Sequence, residues 1–279
     1  MEFRPAVLPD LPDVAEVARQ AYKIYLSRMD REPAPMSADY GQAIRDGHVH
    51  VVVDEYRVVG LIVLIARDDW LLLDNVAVLP DYQGRGIGSQ LLRFAELEAL
   101  RRRAIEIRLY TNEAMTENIA YYTRRGYAET GRSEDDGYRR VFFTKPMPTG
   151  IAALVHRFYA ILWNEWDDSE VDDVLAEDFT FRGSLGTETT GRDGWRSYRD
   201  TIRQGAPDFH NNLIDLIAYG DRAAARLLYS GHQHGRLAGI EPTGRKFEYA
   251  GAAFFTEREG KLASAWVLGD LDSLRRQLT

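Results

Sequence analysis

The sequence predicts two domains in tandem, the first of α/β class on a mixed sheet and the second of α+β class. Three observations predict this. The chain has 279 residues, more than one compact core usually holds and enough for two. A break at Lys145-Pro-Met-Pro-Thr-Gly150, with two prolines and a glycine, separates a strand-like run from a clean helical pattern. The order of elements also changes there: strands and helices interleave before the break, whereas beyond it helices come first and strands follow. The expected domains are residues 1–147 and 150–279.

In the first domain, Glu2 to Leu8 reads as a strand, and Asp10 with Asp13 resembles an N-cap pair opening a helix that runs to about Leu26. A second helix is expected near Ser37 to Asp46. Three apolar runs, His48 to Asp54, Arg57 to Ala66 and Trp70 to Leu79, read as an antiparallel meander. A glycine turn leads into a helix from about Gly88 to Arg103, then a strand from Ala104 to Tyr110, a helix around Glu113 to Arg124 and two closing strands. The order is β-α-α-β-β-β-α-β-α-β-β.

In the second domain, Ile151, Leu154, Val155, Phe158, Tyr159 and Leu162 recur at three- and four-residue spacing and predict a helix ending at Trp163-Asn-Glu-Trp166. Short helices near Val171 to Leu175 and Trp195 to Arg203 precede strands at about Phe209 to Ala218, Arg222 to His234, Lys246 to Glu257 and Leu262 to Leu268. Turns at Tyr219-Gly-Asp221 and Glu257-Arg-Glu-Gly260 make hairpins, and Asp270 opens a last helix.

Composition excludes several function classes. The chain is 45% apolar and 28% charged, which is globular rather than disordered. There are 20 basic and 23 acidic residues through Thr149, then 15 and 20 after it, so neither domain has the basic excess of a nucleic-acid binder. With no cysteine there is no disulfide, thiolate nucleophile or cysteine metal site. The amino terminus opens no apolar signal region, and the longest apolar stretch, Val58 to Ala66, is too short to span a bilayer. The expectation is a cytoplasmic protein acting on a small-molecule substrate, with no membrane or nucleic-acid partner.

The segment Asp74-Asn-Val-Ala-Val-Leu-Pro-Asp-Tyr-Gln-Gly-Arg-Gly-Ile-Gly-Ser89 carries the clearest chemistry. Ile87, Leu91, Ala95 and Ala99 recur every fourth residue, so its glycines stand where a helix begins. Unpaired amides and partial positive charge at a helix start bind an anion, and glycine lets a phosphate approach the backbone. A P-loop would need Gly-Lys-Ser/Thr, and a dinucleotide fingerprint starting at Gly84 would need glycine or alanine at Ser89. What matches is Gln-x-x-Gly-x-Gly, at Gln83, Gly86 and Gly88.

In that motif and in its strand order, the sequence resembles the GNAT acetyltransferase family over residues 1–147. The resemblance implies a mixed-sheet fold with splayed central strands, acetyl-CoA as co-substrate and no metal, and transfer of an acetyl or short acyl group to the amine of a small molecule. It implies that Val76, Ala77 and Val78 offer backbone groups to pantetheine. Gln83, Gly84, Arg85, Gly86, Ile87, Gly88 and Ser89 would hold the pyrophosphate. Asn118-Ile-Ala-Tyr-Tyr-Thr-Arg-Arg-Gly-Tyr127 looks like the family's second signature, which makes Tyr122 the proton donor to the CoA sulfur; a helix tyrosine that only packs is the other reading. The asparagine common seven residues earlier is Met115 here. Asp74 is a candidate base by position, or a structural carboxylate. Tyr22, Tyr25, Arg28, Met36 and Tyr40 are candidates for the acceptor pocket. Arg101 to Arg103 could meet the CoA ribose phosphate or simply complement the helix dipole.

Pro207-Asp-Phe-His210, Gly231-His-Gln-His-Gly235, Gly239-Ile-Glu-Pro-Thr-Gly-Arg245 and Trp266-Val-Leu-Gly-Asp270, on helices followed by a meander, resemble the SnoaL-like polyketide cyclases. That resemblance implies an α+β cone, a homodimer and an apolar pocket in which an aspartate acts as general acid and base. Asp270 is the candidate, with His232 as companion; helix capping is the competing role for Asp270. His232 and His234 share a strand face, but with no third ligand nearby they are not expected to bind metal. Two alternatives follow: a cyclase or isomerase carried on a CoA-binding scaffold, or a ligand-binding protein without catalysis.

Overall fold

The structure, a computed structural model, describes all 279 residues. It divides into two compact units, Met1–Met147 and Pro148–Thr279. No helix is long and apolar enough to cross a membrane.

The first unit contains β1 (Glu2–Pro5), α1 (Leu11–Tyr22), α2 (Tyr40–Arg45), β2 (Val49–Asp54), β3 (Arg57–Ala66), β4 (Trp70–Val78), α3 (Ile87–Arg101), β5 (Glu106–Asn112), α4 (Thr116–Thr123), β6 (Ala128–Asp135) and β7 (Tyr138–Pro146). The sheet order is β1-β2-β3-β4-β5-β7-β6. Only β4 and β5 pair in parallel. A parallel pair needs a long crossover, and α3 provides it. Val58 to Val63 of β3 are buried throughout, because α1 and α3 both pack on that strand. The helices bury the stripes that their spacing implies: Val14, Val17 and Ala18 on α1, and Ile87, Leu91, Ala95 and Ala99 on α3.

The first strand and helix differ from expectation. Asp10 does not cap α1. Its carboxylate accepts two bonds from the Arg4 guanidinium, at 2.7 and 2.9 Å, and one from the Val7 amide at 2.8 Å. A forked, charge-assisted pair outcompetes a single cap bond, so β1 stops at Pro5 and a 3-10 turn follows at Leu8–Asp10.

The central strands part at one residue. β4 pairs with β5 only from Trp70 to Leu73, although it continues to Val78. Against β3, Leu73 faces Leu64 and Asn75 faces Val63, so Asp74 is the extra residue of a bulge. A bulge bends the strand and increases its twist. Beyond it the β5-facing edge of β4 lacks ladder partners, while β5 continues along β7 to Asn112.

The second unit opens with α5 (Gly150–Arg157), continued by a π-helical turn at Phe158–Trp163. Then come α6 (Val171–Val174), β8 (Leu175–Arg182), β9 (Glu188–Thr190), α7 (Gly191–Gly205), β10 (His210–Tyr219), β11 (Arg222–His232), β12 (Lys246–Arg258), β13 (Lys261–Gly269) and α8 (Leu271–Leu278). The sheet runs β10-β11-β12-β13-β8-β9, with β13 and β8 parallel. β8 and β9 correct the expectation of helices first and strands afterwards: β8 carries Glu177 and Asp178 mid-strand, which hides the alternation of Leu175, Phe179 and Phe181. Phe179, Phe181, Leu227, Tyr229, Phe247, Tyr249 and Phe255 are buried on the strands, alternating with exposed residues as a one-sided sheet requires. Both units have the expected classes, mixed-sheet α/β with splayed strands and α+β cone.

Candidate active site

The glycine turn forms where β4 ends. Gln83 is extended, and its amide donates to the Val78 carbonyl at 3.1 Å, bracing the strand end. Gly84 and Gly86 follow with φ of +75° and +86°, in the left-handed region where a side chain costs about 1 kcal/mol or more. Apart from the chain neighbours, no atom lies within 4 Å of a Cβ built on either, so both glycines face open space. α3 begins at Ile87; the Ser89 and Gln90 amides donate to the Gly86 carbonyl at 3.0 and 3.1 Å, and the amides of Ile87 and Gly88, which open the helix, have no helical acceptor.

α4 lies against this helix start. The Tyr121 hydroxyl approaches to 2.8 Å of a Cβ built on Gly88. Arg125 lies over the Tyr121 ring, 3.6 Å from its centroid, and donates to the Ser89 hydroxyl at 2.6 Å. Arg125 thus places a second cation at the first turn of α3, besides Arg85 of the motif. Arg101 and Arg102 pair with Glu98 at the other end of a helix of 15 residues, about 20 Å away. That position corrects the ribose-phosphate reading of the arginine run.

The bulge opens a cleft of about 540 Å³ whose walls include Tyr22, Asp74, Val76, Tyr110, Tyr122 and Arg140. Tyr122 is 6% exposed and meets Tyr121 and Tyr127 edge-on. Burial, helped by Tyr121 and Tyr25, raises its pKa well above the usual phenol value, so at neutral pH it carries a proton to give. At the departure position, the Met115 sulfur accepts from Thr111 Oγ1 at 3.5 Å and Asn118 Nδ2 at 3.6 Å. Asn118, one turn further along α4, brings an amide to the cleft wall.

Two polar pairings shape the acceptor side. Tyr22 donates to Asn75 Oδ1 at 2.6 Å, and Asn75 Nδ2 donates to the Tyr40 hydroxyl at 2.8 Å. Tyr110 donates to Asp74 Oδ1 at 2.6 Å, and the Arg140 guanidinium lies 4.1 Å from the centroid of the same ring. Tyr25, Arg28 and Met36 do not line the cleft; Arg28 pairs with Glu117 at 2.8 Å.

In the second unit, the π-helical turn widens the helix so that Phe158, Tyr159 and Trp163 face a small aromatic cavity of about 20 Å³, with Tyr198, Asn211 and Tyr229 also in its wall. The wall holds no carboxyl and no imidazole. The indole nitrogen of Trp163 is buried without a hydrogen-bond partner, and the buried hydroxyls of Tyr159 and Tyr229 interact with each other. Neither Asp270 nor His232 is in that wall. Asp270 accepts from the Ser273 amide at 2.9 Å and caps α8, the geometry favoured for an aspartate before a helix. His232 is half exposed and bound through Nδ1 to Asp208 at 2.6 Å, and its ring stacks on His234. No group of three or more His, Cys, Asp or Glu is placed to hold a metal.

Comparison with known proteins follows the same division. Residues 45–129 match the acetyltransferase (GNAT) domain, and residues 153–278 match the SnoaL-like polyketide cyclases. An aminoalkylphosphonate N-acetyltransferase of Salmonella typhimurium is 33% identical over 108 residues, which span 33% of this chain and 70% of that protein. The chain belongs to the GNAT acetyltransferases. Its first unit is an N-acetyltransferase domain, fused to a SnoaL-like unit. Among solved structures, the GNAT chain is similar to the PaiA N-acetyltransferase of Thermoplasma acidophilum in complex with coenzyme A, at 21% identity, 52% of this chain, 98% of that one and TM-score 0.45. It is also similar to TsrD of Streptomyces laurentii, at 30% identity, 46% of this chain, 93% of that one and TM-score 0.42.

The GNAT signatures did not reveal Tyr110, Asn75, Arg125 or Arg140. Tyr110 and Arg140 lie on neighbouring strands, where Asn112 faces Arg140 and Tyr110 faces Phe142; a pairing register, which one sequence does not display, brings them together.

Proposed function

We propose that this GNAT enzyme transfers the acetyl group of acetyl-CoA to the primary amine of a small molecule, with the thioester held along the open edge of β4 and Tyr122 as proton donor. The observation that carries this is the opening of the Tyr122 side chain and the unpaired edge at Val76 into one cleft. The backbone at Val76, Ala77 and Val78 takes the pantetheine. Gly84, Arg85, Gly86, Ile87, Gly88 and Ser89 take the pyrophosphate, Gln83 supports the turn, and Arg125 adds a cation.

The amine enters as an ammonium ion and loses one proton to water before attack. Its nitrogen forms a C–N bond to the thioester carbonyl carbon, and an unpaired β4 amide stabilises the oxyanion. As the C–S bond breaks, Tyr122 gives its proton to the sulfur and recovers one from the nitrogen that has become amide. Amide, free thiol and one released proton balance the step. We infer a cytoplasmic location from the need for acetyl-CoA.

For the second unit, an apolar cavity lined by the unpartnered indole N–H of Trp163 and by tyrosine hydroxyls favours binding of an apolar metabolite with hydrogen-bond acceptors over acid–base ring closure. The exposed Phe254 and Trp266, which face each other across β12 and β13, support a homodimer through this unit. Thiol release from acetyl-CoA over an amine panel tests the transferase. Tryptophan fluorescence, with Trp163 in the cavity wall, tests binding against a panel of aromatic ketones; a silent titration with all of them removes the receptor reading.

A further inference from the structure

The acceptor cleft holds charges that acetyl transfer alone does not require. Of the side chains in its wall only two are charged, Asp74 and Arg140. Tyr110 joins them: its hydroxyl is on Asp74 Oδ1 at 2.6 Å, and the guanidinium stands 4.1 Å over its ring. The two charges therefore lie about one tyrosine ring apart.

Each charge has capacity to spare. Tyr110 occupies only Oδ1 of Asp74, which leaves Oδ2 for a donor from the cleft. Arg140 Nη1 is held by Asp135 Oδ2 at 3.0 Å, with 16% of the arginine side chain and 55% of the aspartate exposed. A guanidinium has five donors in a fork suited to planar or tetrahedral acids, so one outward ion pair does not exhaust it. A plain alkylamine would satisfy the carboxylate and leave the Arg140 donors not engaged by Asp135 and Tyr110 facing hydrocarbon, a mismatch that polar sites reject.

We infer that the acceptor is a short amine bearing an acidic group, with its ammonium on Asp74 and its acid on Arg140. This rests on the acetyl-transfer reading and narrows its substrate class. The acid can be a phosphonate or a carboxylate; both offer oxygens to the fork, and the tetrahedral dianion engages more of its donors.

The test is thiol release by the full-length protein with three primary amines of equal chain length, ending in phosphonate, carboxylate or methyl, for wild type, Arg140→Met and Arg140→Lys. The wild type is expected to favour at least one acidic amine over the methyl-terminated one by about 30-fold or more in kcat/KM. That ratio should fall towards one in Arg140→Met and recover in part in Arg140→Lys. Equal rates for all three amines in the wild type, or a preference that survives Arg140→Met, overturn the inference and leave acetyl transfer standing. No thiol release with any amine overturns both.

Discussion

The Tyr121 hydroxyl lies 2.8 Å from the point where a Cβ on Gly88 would stand, and the next ring atom is at 3.6 Å. Gly88 is thus constrained by packing as well as by its place in the proposed phosphate site. Gly88→Ala should lower stability by about 1–3 kcal/mol through overpacking and raise KM for acetyl-CoA by displacing the first turn of α3. Adding Tyr121→Phe removes the colliding oxygen, which is buried without a partner, and should restore most of the loss. Urea unfolding of both single variants and the double variant measures the coupling; additive losses would show that the contact does not govern the turn.

The proposed role of Tyr122 as proton donor rests on its burial and on its position in the cleft. Tyr122→Phe keeps the ring contacts and removes the proton. We expect kcat to fall about 100-fold or more, with KM for acetyl-CoA changing far less. A matched drop in binding with kcat intact would mark Tyr122 as a packing residue.

Asp270 caps α8 and stands outside the cavity of its unit. Asp270→Ala should cost about 1 kcal/mol from the lost cap and leave thiol release by the first unit at the wild-type rate. A cyclisation activity that disappears with this substitution would reinstate the aspartate in catalysis.

These residues show what one sequence reveals of a fold and a site. The strand order and the glycine turn were legible because they are local: apolar periods of two and four, and glycines at a helix start. β8 was not, because Glu177 and Asp178 interrupt its pattern. The joining of Asp74, Tyr110 and Arg140 depends on a bulge and on register between strands distant in sequence. Asp270 was ambiguous because a cap and a pocket acid share one residue type, and only the position of Ser273 separates them.

The second unit should resist acid better than alkali where its cavity is concerned. Burial raises the pKa of Tyr159, Tyr198 and Tyr229 above the ordinary phenol value of 10.0. Because the folded pKa lies above the unfolded one, their contribution to stability is intact below pH 10 and is lost progressively above it, as the unfolded chain ionises first. Tyrosinate absorbance should rise in two phases with pH, the second coinciding with loss of near-ultraviolet circular dichroism. A single phase complete while the fold persists would contradict the burial.

The most direct test of the whole account is steady-state thiol release from acetyl-CoA by the full chain, across a panel of small primary amines including those with an acidic terminus. Release should depend on the amine, with the N-acetylated amine as product, and turnover should fall sharply in Tyr122→Phe. Absence of release with every amine, or a rate indifferent to the amine and to Tyr122, would contradict it.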